Sequence, residues 1–309
     1  MAHNSPILIA GPTASGKSAL ALTLARRHNG LVVNADALQV YDHWQVLTAR
    51  PSPEEEAAAP HALYGHVPAR EAYSVGRWLR DITAQRQYAQ AQKLRPIIIG
   101  GTGLYFTALT EGLAPIPDIP AGIRARGDAM RASDGIEAFA RDLMDRDPVS
   151  WAKLDQKNPA RLQRAWEVLE ATGVGIAAWQ AQTGPAALSV SDAVPLCLNA
   201  DRDWLADRIE RRFDMMLEGG AMDEVGRWRD AALPRSLPAA RALGAAELLD
   251  HLAGRTTLED AVSRAKAATR QFAKRQRSWF RNRMSNWHQV DLSSADATAQ
   301  ALAHISAAD

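Results

Sequence analysis

The sequence predicts an α/β fold: a parallel sheet core flanked by helices, with an all-helical domain inserted into it. Three observations carry that expectation. Short apolar runs alternate with helical patterns through the first third of the chain, the rhythm of strand–helix–strand units. The first run, Pro6 to Ala10, leads into Gly11-Pro12-Thr13-Ala14-Ser15-Gly16-Lys17-Ser18, a G-x-x-x-x-G-K-[ST] loop set between a strand pattern and a helix pattern. After Gly112 the alternation stops, and helical patterns alone continue to about Gly184 before an apolar run returns near Pro195.

Pro6 to Ala10 is apolar throughout, as a parallel strand covered on both faces must be. Ala19 to Arg27 reads as the helix that follows. Leu31 to Val33, Leu63 to Val67, Pro96 to Ile99 and Val194 to Leu198 are further strands, with a helix over Val75 to Leu94. Ala114 to Pro120 holds three prolines in seven residues and reads as a linker. Asn158-Pro159 starts a helix, with Asn as N-cap and Pro in the first position. Leu162, Ala165, Trp166 and Leu169 then recur on one face, and Gly173 closes it. Trp204 to Gly219 and Leu258 to Arg283 are long helices, and Trp287 to Leu292 is a last strand. Residues 1–115 and 193–309 thus form the core with a basic C-terminal helix, and 116–192 form the insertion.

Bulk composition narrows the function classes. The chain has 309 residues, 47% apolar and 23% charged, as in ordinary globular proteins. A net charge of +1 gives no global field to collect nucleic acid, so any RNA-binding surface needs local segregation of charge. The single cysteine, Cys197, excludes a disulfide framework and a cysteine metal cluster, and its apolar strand suits core packing. Met1-Ala2-His3-Asn4-Ser5 lacks the charged start and long apolar segment of a secretory leader. No run of about 18 apolar residues suggests a membrane span. A cytoplasmic monomer is expected, with no membrane partner.

The loop from Gly11 to Ser18 is a phosphate cradle. Its glycines allow a tight turn that aims backbone N–H groups inward, and the following helix start adds partial positive charge. Lys17 brings a full charge to phosphate oxygens, and the Ser18 hydroxyl can reach a Mg²⁺. Asp36 follows the second strand, on the sheet edge where ligands bind, so it suits a general base, a Mg²⁺ ligand, a hydroxyl partner or a plain helix N-cap. Gly100-Gly101-Thr102-Gly103 follows another strand, lets backbone approach a ligand closely and offers the Thr102 hydroxyl. Arg208, Arg211 and Arg212 share one helix, from which an arginine could reach transferring phosphates. His61 and His66 lack metal-site spacing.

Basic residues cluster near the C-terminus. Ser263 to Arg283 contains eight Lys or Arg and no acid. Lys266, Arg270, Lys274, Arg277 and Arg281 fall on one helical stripe, a footprint suited to a phosphate backbone. Arg161 and Arg164 add a smaller basic pair on the insertion helix.

With these residues in view, the chain resembles the bacterial tRNA dimethylallyltransferase family over almost its whole length. GPTASGKS, NADALQVY, TARPS, EAYSVGRW, GGTGLY, NPARLQRAWEVLEATG, RIERRFDMMLEGG, RALGAAELLDHL and ATRQFAKRQRSWFRNR appear in the family's order. Ala37-Leu38 and Ala245-Ala246-Glu247 depart from the commoner pattern. The resemblance implies that the P-loop, through Gly11, Thr13, Ala14, Ser15, Gly16, Lys17 and Ser18, binds dimethylallyl diphosphate instead of ATP, with Mg²⁺ at Ser18. It implies Asp36 as general base, Thr102 beside the target base and Arg212 on the diphosphate. The implied tRNA contacts are Asp36, Ala37, Leu38 and Gln39, and Ala160, Arg161, Leu162, Gln163 and Arg164, joined by Lys274, Arg277 and Arg281 of the basic stripe. The implied product is N6-isopentenyladenosine at adenosine 37, beside the anticodon. A small-molecule kinase or a prenyltransferase for free adenine nucleotides would use the same cradle but leave the basic stripe idle. A non-catalytic RNA-binding module would leave the P-loop idle.

Overall fold

The computed structural model describes residues 5–308. Met1 to Asn4, on which the leader reading partly rests, and Asp309 lie outside them. The chain divides into two compact units. The larger runs to Thr110 and resumes at Ala187. It contains β1 (Ile7–Ala10), α1 (Lys17–His28), β2 (Gly30–Asn34), α2 (Pro53–Ala58), β3 (His61–Ala62), α3 (Val75–Ala91), β4 (Arg95–Gly100) and α4 (Gly103–Glu111). Glu111–Ala186 forms the smaller unit, with α5 (Ala121–Asp134), α6 (Glu137–Arg146), α7 (Pro148–Lys153), α8 (Pro159–Thr172) and α9 (Ile176–Gln180). The larger unit then continues with β5 (Val194–Asn199), α10 (Arg202–Glu218), α11 (Ala221–Asp230), α12 (Ala245–Leu252), α13 (Leu258–Arg283), β6 (His288–Asp291) and α14 (Ala297–Ala308).

Six strands form one sheet in the order β3-β2-β4-β1-β5-β6, and every neighbouring pair is parallel. Side chains alternate across it, so the uniformly apolar runs serve two cores. Ile7, Ile9, Val32, Ile97 and Leu196 pack with Leu20 and Leu24 of α1 and Ala301 and Ile305 of α14. Leu8, Leu31, Val33, Ile98 and Cys197 pack on the other face with Trp78, Phe106 and Phe280. Each fully buried Val, Leu, Ile or Phe side chain among them contributes about 1.5–3 kcal/mol. Cys197 is buried and free.

The third strand differs from the expectation. Only His61–Ala62 pairs with β2. Leu63 then turns at φ 63° and Gly65 at φ 52°, and Val67 makes only an isolated bridge to Tyr41. Apolar content placed a strand over Leu63 to Val67, but left-handed backbone cannot continue a ladder. In the smaller unit, Asn158 caps α8 by accepting from the Arg161 N–H, and Gly173 ends it in the left-handed conformation at φ 68°. Leu162, Ala165, Trp166 and Leu169 join Phe139 and Leu143 in that unit's own core. The unit returns to the larger one six residues before the expected boundary of 192 (at Ala186), and Leu188 N–H donates to Leu109 O at the end of α4.

His288 of β6 and His304 of α14 stack with ring centroids 3.7 Å apart. Burial, then the neighbouring imidazole, holds His304 below the ordinary histidine range. A base whose folded pKa is depressed costs nothing while neutral and destabilises the fold once pH falls through its unfolded value, about 6.5. Unfolding free energy should therefore drop between pH 7.5 and pH 5.5, and His304→Asn should flatten that slope in denaturant titrations.

Candidate functional site

β1, β4 and β2 lie side by side in the sheet, and the loops leaving their C-terminal ends form the site. They are laced together by backbone hydrogen bonds. Gly11 N–H donates to Gly100 O (3.3 Å), Ala35 N–H to Ile99 O (2.7 Å) and Thr102 N–H to Ala35 O (3.3 Å). A Cβ on Gly100 would run into the Ala35 carbonyl, so close approach of these loops requires glycine there.

In the first loop Ala14 (φ 61°) and Gly16 (φ 91°) are left-handed, which turns the chain into α1. The N–H groups of Lys17 and Ser18 open that helix and have no carbonyl behind them to accept, so they remain for an anion. Gly11 and Ser15 are buried and spend their N–H groups on Gly100 O and Pro12 O. Lys17 Nζ donates to Pro12 O at 3.1 Å. Burial lowers its pKa to about 8; the Asp36 charge opposes that fall and Arg212 adds to it.

Asp36 caps no helix. Its Oδ1 accepts from Leu38 N–H two residues on (3.0 Å), an Asx turn, and its own N–H donates to Asn34 Oδ1 (2.8 Å). Thr102 Oγ1 accepts from Ala37 N–H at 2.9 Å, so Thr102 braces the loop beside Asp36. Gln39 gives its amide N–H groups to Thr48 O (2.9 Å) and Ala49 O (2.8 Å), closing the same loop.

The helix α10 supplies two inward arginines. Arg212 reaches Thr13 Oγ1 at 3.4 Å, and Arg208 Nε donates to Ala14 O at 2.9 Å while stacking over Trp204. Arg211 is exposed, pairs with Asp207 and lines the open pocket beside Lys17 and Ser18. Burial lowers the Arg212 pKa, with Asp36 opposing the fall. Asp36, Thr13 and Arg212 share one cleft, whose remaining wall is mainly apolar, with Leu38, Leu47, Ile209, Phe213, Met216 and Phe272 beside the two threonines Thr48 and Thr269. Lys17, Ser18 and Arg208 line the open pocket on the other side of the P-loop, to which Arg212 is common.

Two residues that hold this site carry no local sequence signal. Glu224 of α11 is 1% exposed, and its carboxylate accepts from Gln45 N–H (2.6 Å), Val46 N–H (2.8 Å) and Leu47 N–H (3.0 Å). It anchors the loop that runs from Asp36 past the apolar cleft. Glu224→Ala would leave three backbone donors, that of Leu47 buried and those of Gln45 and Val46 part-buried, without their acceptor, and should cost about 3 kcal/mol of stability in urea unfolding. Gln276 of α13, 6% exposed, is the second; Thr13 N–H donates to its Oε1 (2.9 Å) and its Nε2 donates to Gly101 O (2.8 Å).

The basic stripe is shorter than its spacing suggests. Lys266 pairs with Asp214 (2.7 Å) and Arg270 with Glu210 (2.7 Å), acids supplied by α10; Arg264 pairs with Asp250 at 3.5 Å. Lys274, Arg277 and Arg281 form no ion pair among the described residues, and Lys274 and Arg281 are exposed. In the smaller unit Ala160 and Arg161 are exposed and Arg164 is half-buried. Leu162 and Gln163 turn inward, contrary to a role as side-chain contacts: Leu162 belongs to the core, and Gln163 Nε2 bonds Asp128 and Glu167, both at 2.9 Å. Among the described residues no group of three His, Cys, Asp or Glu could hold a metal. A cation here would rely on the Ser18 hydroxyl and on the oxygens of a bound phosphate, which suits Mg²⁺.

A parallel sheet with this loop and these inward cations defines a P-loop phosphate-binding protein. Its family follows from comparison with known proteins. The family described as IPP transferase matches residues 39–283, and that described as isopentenyl transferase matches residues 5–60. The tRNA dimethylallyltransferase of Cereibacter sphaeroides is 55% identical over 287 residues, 93% of this chain and 96% of that one. Its counterpart from Dinoroseobacter shibae is 55% identical over 96% of this chain and 97% of its own. Among solved structures, the full-length tRNA isopentenylpyrophosphate transferase of Bacillus halodurans superposes with TM-score 0.70 and 31% identity, covering 98% and 95% of the two chains. A eukaryotic dimethylallyltransferase acting on tRNA superposes with TM-score 0.81 and 26% identity, covering 97% and 77%. The chain belongs to the IPP transferase family. No described helix is long and apolar enough to cross a membrane.

Proposed function

We propose that this protein transfers the dimethylallyl group of dimethylallyl diphosphate to N6 of the adenosine that follows the tRNA anticodon. One observation carries the reading: Asp36, Thr13 and Arg212 open into a cleft with an apolar wall, and the P-loop cradle adjoins it. A phosphate cradle alone suits many ligands. A cradle beside an apolar wall suits a diphosphate with a short hydrocarbon tail, and a carboxylate at that junction suits a nucleophile that must lose a proton.

The chemistry follows from the groups present. The P-loop N–H groups, Lys17 and Arg212 bind the diphosphate and stabilise the charge that grows on it as the allylic C–O bond breaks. The adenine N6 lone pair forms the new N–C bond, and Asp36 takes the N6 proton. Mg²⁺, held by Ser18 and phosphate oxygens, would neutralise further charge on the leaving group. Lys274, Arg277 and Arg281 offer an unpaired cationic face to the tRNA backbone, and Arg161 adds another contact from the smaller unit. The target base must leave its stack, which costs a few kcal/mol and less in a loop than in a duplex.

The test is incubation with dimethylallyl diphosphate, Mg²⁺ and unmodified tRNA, followed by nucleoside mass spectrometry. Dimethylallyl-adenosine from tRNA is the expected product. ATP turnover without RNA, or transfer to free nucleotide with none to tRNA, would replace this reading with one of the smaller-substrate activities.

A further inference from the structure

Gln276 lies in the C-terminal half of the longest described helix, between Lys274, Arg275 and Arg277, yet it is 6% exposed. Its neighbours on the buried edge explain why. Ala273 packs with Ala14, Leu205 and Ile209, and Phe280 packs in the core with Trp78 and Tyr105. The residue between them is therefore held against the loops of the site. A buried amide needs partners for both ends. Here each end takes one from a different loop: Thr13 N–H of the P-loop donates to Oε1 at 2.9 Å, and Nε2 donates to Gly101 O at 2.8 Å.

The bonds continue to Asp36. Gly101 sits between the Gln276 amide and the Asp36 carboxylate: a Cβ there would overlap Nε2 and lie 3.2 Å from Asp36 Oδ2. Thr102, next in sequence, donates its N–H to Ala35 O and accepts from Ala37 N–H, the residues on either side of Asp36. Two hydrogen bonds at Gln276, the chain link from Gly101 to Thr102 and two hydrogen bonds at Thr102 thus connect the P-loop to the residues flanking Asp36.

We propose that Gln276 is a positioning residue that fixes the distance between the donor's phosphate cradle and the Asp36 carboxylate. The inference rests on the prenyl-transfer reading for what the two groups do, and on geometry alone for their coupling. Only an amide of this length meets the demand. Glutamate keeps the acceptor toward Thr13 but sets a carboxylate against the Gly101 carbonyl and Asp36. Methionine fills the space and makes neither bond. Small displacements of reacting groups can cost about 10²-fold in rate.

The test compares wild type, Gln276→Met and Gln276→Glu in three assays. Prenyl transfer to unmodified tRNA is followed by steady-state kinetics against pH, inorganic diphosphate binding by calorimetry, and folding by thermal melting. Gln276→Met is expected to lower kcat by about 10- to 100-fold, weaken diphosphate binding, and leave KM for tRNA near the wild-type value. Gln276→Glu is expected in addition to move the acid limb of kcat/KM to higher pH, because a second carboxylate beside Asp36 disfavours its ionisation. That limb reports how close the side chain at 276 lies to Asp36, and the positioning role itself is read from kcat and diphosphate binding in Gln276→Met. Wild-type kcat and diphosphate affinity in Gln276→Met would overturn the proposal, as would losses that track the unfolded fraction alone. Should the wild type transfer no prenyl group, the function reading fails by itself, and diphosphate binding by the folded Gln276→Met protein decides the positioning role.

Discussion

Asp36→Asn is expected to lower kcat by about 10²- to 10⁴-fold, with the KM values for donor and tRNA changed only slightly. Asparagine is the informative substitution because Asp36 has two jobs. Its Oδ1 closes an Asx turn by accepting from Leu38 N–H, and its carboxylate faces the cleft that Thr13 and Arg212 share. Asparagine can still accept that bond, so the loop that carries Leu38 and Gln39 keeps its shape. What it loses is a group able to take the N6 proton. Asp36→Ala removes both functions and should perturb binding as well as rate. A loss confined to kcat is the signature of an interaction made in the transition state, whereas loop damage raises KM. Asp36→Asn turning over at the wild-type rate would leave the carboxylate with a structural role only, and the proton would have to depart by another route, such as the leaving diphosphate.

What the sequence made legible divides along one physical line: contacts between near neighbours could be read, and contacts between distant residues could not. The P-loop is read from eight consecutive residues because its cradle is built by their own backbone. The Asn158 cap and the Gly173 stop of α8 are local for the same reason. Arg208, by contrast, meets Ala14 across 194 positions and Gln276 meets Thr13 across 263. No spacing rule distinguishes Gln276 from the exposed polar residues of its helix. Glu224 looks like any acid in a first helical turn until the Gln45 to Leu47 loop is laid on it. The basic stripe failed in the opposite sense: a run with no acid of its own borrows Glu210 and Asp214 from α10, so only its C-terminal part is left without an ion pair among the described residues. The Leu63 to Val67 strand failed because apolar side chains report burial, while the left-handed φ at Leu63 that forbids a ladder has no sequence signature in a leucine.

Lys17 makes the second large effect, and its sign runs in opposite directions for binding and for stability. In the donor-free protein burial brings its pKa down to about 8. The ammonium is the form that binds diphosphate, so kcat/KM for the donor should fall as pH rises through about 8, on the alkaline side of its profile. Above that pH donor binding should take up a proton, because a bound diphosphate favours the charged lysine. Lys17→Met should lack this limb and lose about 10²- to 10³-fold in kcat, the usual cost of removing one preorganised charge-stabilising group. Stability is linked the other way. A lysine whose folded pKa lies below its unfolded value of about 10.4 destabilises the fold while both states are charged. That penalty is complete below about pH 8 and is relieved as pH climbs toward the unfolded value. Lys17→Met should therefore melt at a higher temperature than the wild type at pH 7, and the gap should close near pH 10. Calorimetric melting without donor at the two pH values measures it. A variant less stable than the wild type at pH 7 would mean that the Nζ bond to Pro12 O and the attraction of Asp36 outweigh the desolvation of Lys17, and the cradle would then be stabilised by the charge it holds for its ligand.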